Sequence, residues 1–453
     1  MVTMATEQKL AKNSLGLTES IIMGIAGTAP AYSIEITTST IIATAWVLSP
    51  ASILACGLIM FGIAFAFINL NKVGASAGTS YTWVSMVFGK TTGFFAGWAL
   101  LVLCCVFMVS AMVPAANATL LIFKPDLVND VHWVTGIAAI WLTFISAIVV
   151  KWVKLTSYVQ MIFTAIEGII LFAIIIMSFV VFPSISAHPF SWSWFSPFAF
   201  TPELFASSAL VGIFFYYGWD VTMNLGEETK DSTRTPGRAA FWSMIFLIIF
   251  FLIFIVITLM ALSDAEIQQY NTNIIFAIAE KLFGKTWGYV AIIAVLLSTI
   301  GTVETQIIQF TRTLFAKGRD KALHERYSRL HPEWKTPHIA IFCIWIVWLV
   351  LLFASSYLPT INEILKSSIS ALGFQICFYL WLTGFACAWY YRRMITGKIW
   401  PSITHIIWPA LSGAFLFFVA IYSIPGFDLI TNIVGLGGIA IGIIPLLLNR
   451  MRR

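Results

Sequence analysis

The chain has 453 residues, of which 59% are hydrophobic and 10% charged, and its mean hydropathy is +0.90. Runs of about 20 apolar residues recur from end to end, which excludes a soluble enzyme with an apolar core and leaves no stretch for a sizeable soluble domain. The net charge of +6 comes from basic residues in short loops beside apolar runs, so it reports orientation in a membrane rather than nucleic-acid binding.

Residues 1–16 are polar and carry Lys9 and Lys12, with no short apolar core leading to a small-residue cleavage site, so a cytoplasmic tail is expected and not a cleaved signal. Apolar runs then predict an all-α polytopic membrane protein with about twelve spans. They lie near residues 17–44, 47–71, 90–123, 133–150, 155–182, 203–227, 237–262, 285–316, 337–354, 360–390, 401–421 and 427–448. With the N-terminus inside, Lys72, Lys90, Lys151, Lys154, Lys230, Arg234, Arg238, the Arg312 to Lys335 group, Arg392, Arg393, Lys398 and the C-terminal arginines all fall on the cytoplasmic side. Lys124, Lys281, Lys285 and Lys366 fall outside. This bias predicts both termini in the cytoplasm and a plasma-membrane location, a bacterial inner membrane.

The first span reads MGIAGTAPAYS from Met23 to Ser33, placing Gly24, Gly27, Thr28, Ala29 and Pro30 together at mid-span. Proline lacks an N–H and glycine weakens a helix, so unwinding is cheap there. The sixth span stalls in the same way at Tyr217-Gly218-Trp219, with Asp220 in the stall, before a charged exit at Glu227 and Glu228. A glycine and a carboxylate in mid-membrane predict a break that lines a cavity. A proline kink or a glycine packing contact accounts for either feature taken alone.

Two offsets connect the breaks. Gly27 and Gly218 are 191 residues apart, and FGKTTGFF (Phe88 to Phe95) returns as FGKTWGYV (Phe283 to Val290) at an offset of 195. Five helices separate equivalent points, an odd number, so the second copy runs through the membrane upside down. Paired broken helices in inverted halves point to the midplane site of a secondary transporter. The expected divisions are residues 17–202 and 203–390 for the two repeats, then 391–453 for two further helices.

Other signals are weaker. FGKT is not a phosphate loop, because the glycine needed five positions earlier is Val84 in one copy and Ala279 in the other. The stretch from Asn71 to Lys90 predicts a short interfacial helix, and Thr311 to Ile341 is the largest cytoplasmic loop. His324, His331 and His338 recur in that loop without carboxylates or cysteines at ligand spacing, and all six cysteines lie in apolar runs, so no metal, cofactor or disulfide framework is expected.

Four segments together resemble the amino acid-polyamine-organocation superfamily. They are Gly27-Thr28-Ala29, the stretch AGTSYTWVSMVFGKTTGFFAGW, YYGWD continuing to EETKDSTRTP, and TRTLFAKGRDKALHERY continuing to WKTPHIA. The resemblance implies a leucine-transporter-like fold of five plus five inverted helices with two appended, and alternating access around a fixed site. It places a substrate carboxylate on the N–H groups of Gly27, Thr28 and Ala29, with Pro30 removing the next donor. It places a substrate amine on the carbonyls of Phe214, Phe215, Tyr216 and Tyr217 before Gly218, under an aromatic cover, and it gives Asp220 a proton-sensing role.

Where many family members carry a lysine after a V-Q-x-I-F-T segment, this chain has Glu167, which can take a proton, a sodium ion or an ammonium. Glu304, with Ser298, Thr299 and Thr302 nearby, adds oxygens able to bind a cation, and Glu35 falls about two turns beyond Gly27 toward an outer vestibule. No lysine or arginine lies at comparable depth, so four acids favour a cationic guest. The expected function is a transporter of an amino acid or a cationic amine, coupled to a proton or sodium or working by exchange, with a polyamine or agmatine exchanger as the alternative. An intramembrane enzyme lacks any nucleophile with its base or a metalloprotease motif, and a nutrient sensor would usually add a soluble signalling domain.

Overall fold

The computed structural model describes residues 10, 12–128, 130–151, 153–271, 273–357 and 361–451. Lys9, Arg452 and Arg453 of the expected cytoplasmic termini lie outside the described residues, as do the side chains of Lys151, Lys154, Lys366 and Arg450.

Among the described residues the chain is all-helical, with no strand beyond one isolated bridge between Leu15 and Thr229. Ten stretches of the described residues are long and apolar enough to cross a bilayer. One of them, Leu17–Val73, has 57 residues. At about 1.5 Å per residue it is more than twice too long for one crossing, so it turns at Trp46–Leu48 and crosses again. Splitting that stretch and adding the shorter apolar helix Pro202–Phe215 recovers the expected twelve spans.

The elements in chain order are α1 (Leu17–Thr28), α2 (Pro30–Ala45), α3 (Ser49–Val73), α4 (Ser80–Phe88), α5 (Lys90–Phe123), α6 (Val131–Lys151) and α7 (Val153–Ile185). Then come α8 (Pro202–Phe215), α9 (Val221–Asn224), α10 (Thr235–Ala261), α11 (Asp264–Tyr270), α12 (Ile274–Phe283), α13 (Lys285–Arg319), α14 (His338–Ser355) and α15 (Ile361–Tyr390). The chain closes with α16 (Ile399–Ser402), α17 (Trp408–Ser423), α18 (Leu429–Thr431), α19 (Gly438–Ala440) and α20 (Ile443–Met451), with π turns at Ile403–Ile407 and Asn432–Gly437.

α5 and α13 are the most enclosed long helices, whereas α6, α7 and α14 carry exposed Ile140, Phe144, Ile169, Phe172, Ile176, Phe179, Val350 and Phe353. An apolar exterior on long helices around a close-packed interior is the arrangement a bilayer demands, and the chain is a multi-pass membrane protein.

Both expected interruptions are present. The first is narrower than the glycines suggested: α1 stays helical through Gly24 and Gly27, and only Ala29 leaves the helix, at φ 49° and ψ 74°. Its N–H turns back onto the carbonyls of Ile25 and Ala26, and Pro30 opens α2 at the position where its missing N–H costs nothing. The glycines serve close approach instead. A Cβ at Gly27 would overlap the carbonyl oxygen of Gly218, and one at Gly218 the carbonyl of Gly27. In the second interruption α8 ends at Phe215, residues 216–220 form turns through Gly218 at φ +108°, and α9 resumes for one turn.

The FGKT echo is a structural echo as well. α4 ends on Phe88 and α12 on Phe283; the next residues, Gly89 and Gly284, have φ of 88° and 90°, and the long helices α5 and α13 start at Lys90 and Lys285. The short helix expected between Asn71 and Lys90 is α4. Its counterpart α12 and the short α11 were not anticipated, because neither is long enough to span. The Ser263 and Glu266 capping box that opens α11 is the local signal that marks it.

Gly218→Val is expected to cost on the order of 3 kcal/mol or more, from left-handed strain plus overlap with Gly27. Thermal melting of the detergent-purified protein checks this against Gly74→Ala, where nothing lies within 4 Å of the added methyl. An unchanged melting point for the valine variant would show that the two breaks do not touch.

Candidate substrate site at the two helix breaks

The two breaks meet in the middle of the molecule, and α13 runs past both. Its polar residues at helical spacing address them in turn. Ser298 Oγ donates to Glu167 Oε1 at 2.8 Å, and Thr302 Oγ1 donates to the Gly27 carbonyl at 2.8 Å. One turn further, Gln306 and Gln309 accept from Tyr217 Oη at 2.5 and 3.1 Å. Gln309 Nε2 donates to Asp220 Oδ1 at 2.9 Å, and Thr313 Oγ1 accepts from Asn224 at 3.2 Å.

The first break has little free hydrogen-bonding capacity. Ala29 N–H is held by α1, and beyond Pro30 the Ala31 N–H donates to Glu167 Oε1 at 2.9 Å and Tyr32 N–H to Ser298 Oγ at 3.3 Å. Glu167 therefore sits at the N-terminus of α2, where exposed N–H groups and the helix dipole favour an anion. The Thr28 carbonyl accepts from Ser33 Oγ at 2.7 Å. Thr299 Oγ1 turns back onto its own helix, donating to Val295 O.

The second break is more open to a guest. Among the described residues the carbonyls of Tyr216 and Tyr217 accept no hydrogen bond, as expected of oxygens left over where a helix ends. Aromatic rings from three helices surround this point. Phe107 of α5 lies 5.7 Å from Tyr32, 6.2 Å from Phe214 and 5.7 Å from Tyr217. Phe215 packs on Phe251, whereas Tyr216 Oη donates to the Ile53 carbonyl at 3.0 Å, so these two hold the break and do not face it.

Asp220 is buried and accepts from Gln309 on one oxygen and from Tyr379 Oη, at 3.0 Å, on the other. The four acids expected around the site divide into three kinds. Asp220 belongs to a side-chain network, Glu167 and Glu35 cap helices, and Glu304 is buried with one oxygen unpartnered among the described residues. Glu35 Oε2 accepts from Ile275 N at 2.8 Å at the start of α12, so it does not line the large cavity on that side. None of the four makes an ion pair among the described residues.

The two ends of the site differ. A cavity of about 920 Å³, lined by Ile36 and Ser39 of α2, Ala206 and Val211 of α8, and Asn271, lies on the side of α11. The opposite side is bolted shut. Ser14 N–H donates to the Glu228 carbonyl and Lys230 N–H to the Leu15 carbonyl, both at 2.8 Å. The Glu228 carboxylate pairs with the fully buried Arg312 at 2.8 Å, and Glu227 pairs with Arg319 at 2.9 Å while accepting from Ala77 N at 2.9 Å.

Tyr32, Phe107, Gln306, Gln309 and Tyr379 were not anticipated from sequence. The signal for the glutamines is the density of polar residues in α13 from Ser298 to Thr313, where Thr302, Gln306, Gln309 and Thr313 recur at helical spacing. Phe107 and Tyr379 carry no such mark.

The fold is thus a multi-pass helical bundle in which two broken helices pack break to break. The family model "Amino acid permease" matches residues 15–444, and the chain belongs to that family. It is 25% identical over 309 residues to the "Serine/threonine exchanger SteT" of Bacillus subtilis, covering 66% of this chain and 65% of that one. It is 28% identical over 320 residues to the "Large neutral amino acids transporter small subunit 2" of Oryctolagus cuniculus, covering 68% and 58%. The "Branched-chain amino acid permease BcaP" of Bacillus subtilis is 24% identical over 175 residues, covering 38% and 36%. The chain thus matches less than two thirds of the length of each of these relatives.

Arg312→Met strands the buried Glu228 carboxylate and is expected to destabilise the protein by about 3–5 kcal/mol. Adding Glu228→Met to it should recover most of the loss, read as the melting temperature of the purified single and double variants.

Proposed function

We propose that this protein carries an amino acid across the plasma membrane by alternating access, with both termini in the cytoplasm and two inverted repeats of five helices rocking around the paired breaks. The observation that carries the reading is the junction itself: two interrupted helices in backbone contact, edged by aromatic rings and by carbonyls unpaired among the described residues, in a chain of the amino acid permease family.

The substrate ammonium binds the Tyr216 and Tyr217 carbonyls, and Phe107 with Tyr217 covers it by cation–π contact. A substrate carboxylate competes with Glu167 for the α2 amides, and uptake of a proton by Glu167 frees them. The cavity beside α11 is the outer approach. The Glu228–Arg312 pair with the Ser14–Leu15 clasp is the inner seal, which must part for release.

The donor set favours a proton or exchange over sodium. Oxygens that could ring a sodium ion already pair with one another, Thr302 with Gly27 O, Ser33 with Thr28 O, and Ser298 with Glu167. An amino acid is favoured over a polyamine or agmatine because Glu167 and Glu35 are engaged as helix caps, which removes two of the four charges a polycation would need. The names of the three relatives also point to neutral amino acids.

A thermal-shift screen of serine, threonine, valine, leucine, isoleucine, agmatine and putrescine on the purified protein, with and without sodium, tests this. One or more neutral amino acids should raise the melting temperature, the amines should not, and sodium should make no difference. Uptake of the stabilising amino acid into proteoliposomes should follow an imposed pH difference or internal substrate. Asp220→Asn should abolish or uncouple that uptake while leaving the protein folded in the membrane. Stabilisation by amines alone, or full pH-dependent uptake by the variant, would reverse the assignment.

A further inference from the structure

We infer that Asp220, Gln309, Tyr217 and Gln306 form a hydrogen-bond relay that converts the protonation of Asp220 into the polarity that Gln306 shows to the substrate. The inference deepens the transport reading and rests on it for the substrate's place.

The observation is a conflict of protons. Tyr217 Oη lies 2.5 Å from Gln306 Oε1 and 3.1 Å from Gln309 Oε1, yet a hydroxyl has one proton and serves one acceptor. At the far end Gln306 Nε2 is buried with no partner among the described residues, which is costly for an amide. Thr302, one turn before Gln306 on the same face of α13, reaches the first break, so Gln306 stands where the two breaks and α13 meet.

Two proton arrangements satisfy the chain. With Asp220 ionised, Gln309 Nε2 donates to Asp220 Oδ1, Tyr217 donates to Gln309 Oε1, and Gln306 turns its Nε2 to Tyr217 Oη, leaving Oε1 for the substrate. When a proton from water forms an O–H on Asp220, that O–H donates to Gln309, whose amide has turned half a revolution. Gln309 Nε2 then donates to Tyr217 Oη, and Tyr217 donates to Gln306 Oε1. Gln306 now offers its Nε2 as a donor. The only covalent change is the O–H bond on Asp220; the rest is rotation of two amides and one hydroxyl. The donor form suits a carboxylate, so acid tightens binding of a substrate that has one, and loss of the proton loosens it.

The surroundings leave Asp220 as the group that switches. Tyr379 of α15 donates to its other oxygen in both forms, Cys104 of α5 lies behind Tyr217 at 3.9 Å, and the hydrogen bond that α13 gives Asp220 comes from the neutral Gln309 amide. No Lys, Arg or His pairs with it among the described residues.

Infrared difference spectroscopy of the purified, substrate-free protein over a pH titration, with the Asp220 carboxylic-acid band identified by its loss in Asp220→Asn, reads the relay directly. The midpoint of that band should move in both Gln306→Met and Tyr217→Phe, although neither residue hydrogen-bonds to Asp220; an unchanged midpoint in both variants would overturn the relay. In the same samples, L-leucine should bind about tenfold more tightly in acid than at neutral pH, the worth of one hydrogen bond to a charged group, and isoamylamine, which is leucine without its carboxylate, should not. Gln306→Met should abolish that pH dependence, and its retention would overturn the role given to Gln306. A shifted band with no binding of either compound would leave the relay standing and count against the transport reading alone.

Discussion

The structure depends on one contact, the backbone of Gly27 against the backbone of Gly218. Neither position has room for a side chain, and each presents its carbonyl to the other. A helix interrupted in a membrane must find partners for the groups it frees. Here each interruption shields the other, and α13 supplies hydroxyls and amides to what remains exposed. Removing the close approach would separate the breaks and leave several polar groups facing hydrocarbon. The enclosure of α5 and α13 follows, because only fully surrounded helices can carry so many polar groups at mid-membrane.

Electrostatic stability is distributed unequally along the axis of the molecule. On the bolted side charges are paired outright, as Glu228 is with Arg312 and Glu227 with Arg319. At the centre no acid has a cationic partner among the described residues, and negative charge is met by amides, hydroxyls and helix N-termini. Paired charges are strong but closed to new partners, whereas a carboxylate held by neutral donors can exchange its bonds at smaller cost. The first arrangement suits a seal and the second a site that must accept and release.

Much of this was legible in the sequence, and the reasons are particular. The spans are set by the length of apolar runs, a one-dimensional property, and the breaks by Pro30 and Gly218, whose backbone chemistry is local. The FGKT echo turned out to mark the same positive-φ glycine before each long helix. What could not be read was pairing across space. That Glu167 caps α2 and Glu35 caps α12 depends on helices more than 100 residues apart in sequence coming together. An isolated acid in an apolar run looks the same whether it awaits a cation or holds a helix end. The extent of unwinding in the first span was over-read for a related reason: glycine signals both loose backbone and tight packing, and the neighbour decides which.

Ala29 is the non-glycine residue at the pivot of the first break, and it holds φ 49° with a methyl group attached. That conformation costs an L-residue roughly 1 kcal/mol that a glycine would not incur. Straightening offers no relief, because Pro30 follows: its ring disfavours the right-handed helical region at residue 29 and would meet the carbonyl of Ala26 in a continuous helix. The bend is thus held from two sides, by a proline that a continuous helix cannot accommodate and by Glu167 and Ser298 on the α2 amides.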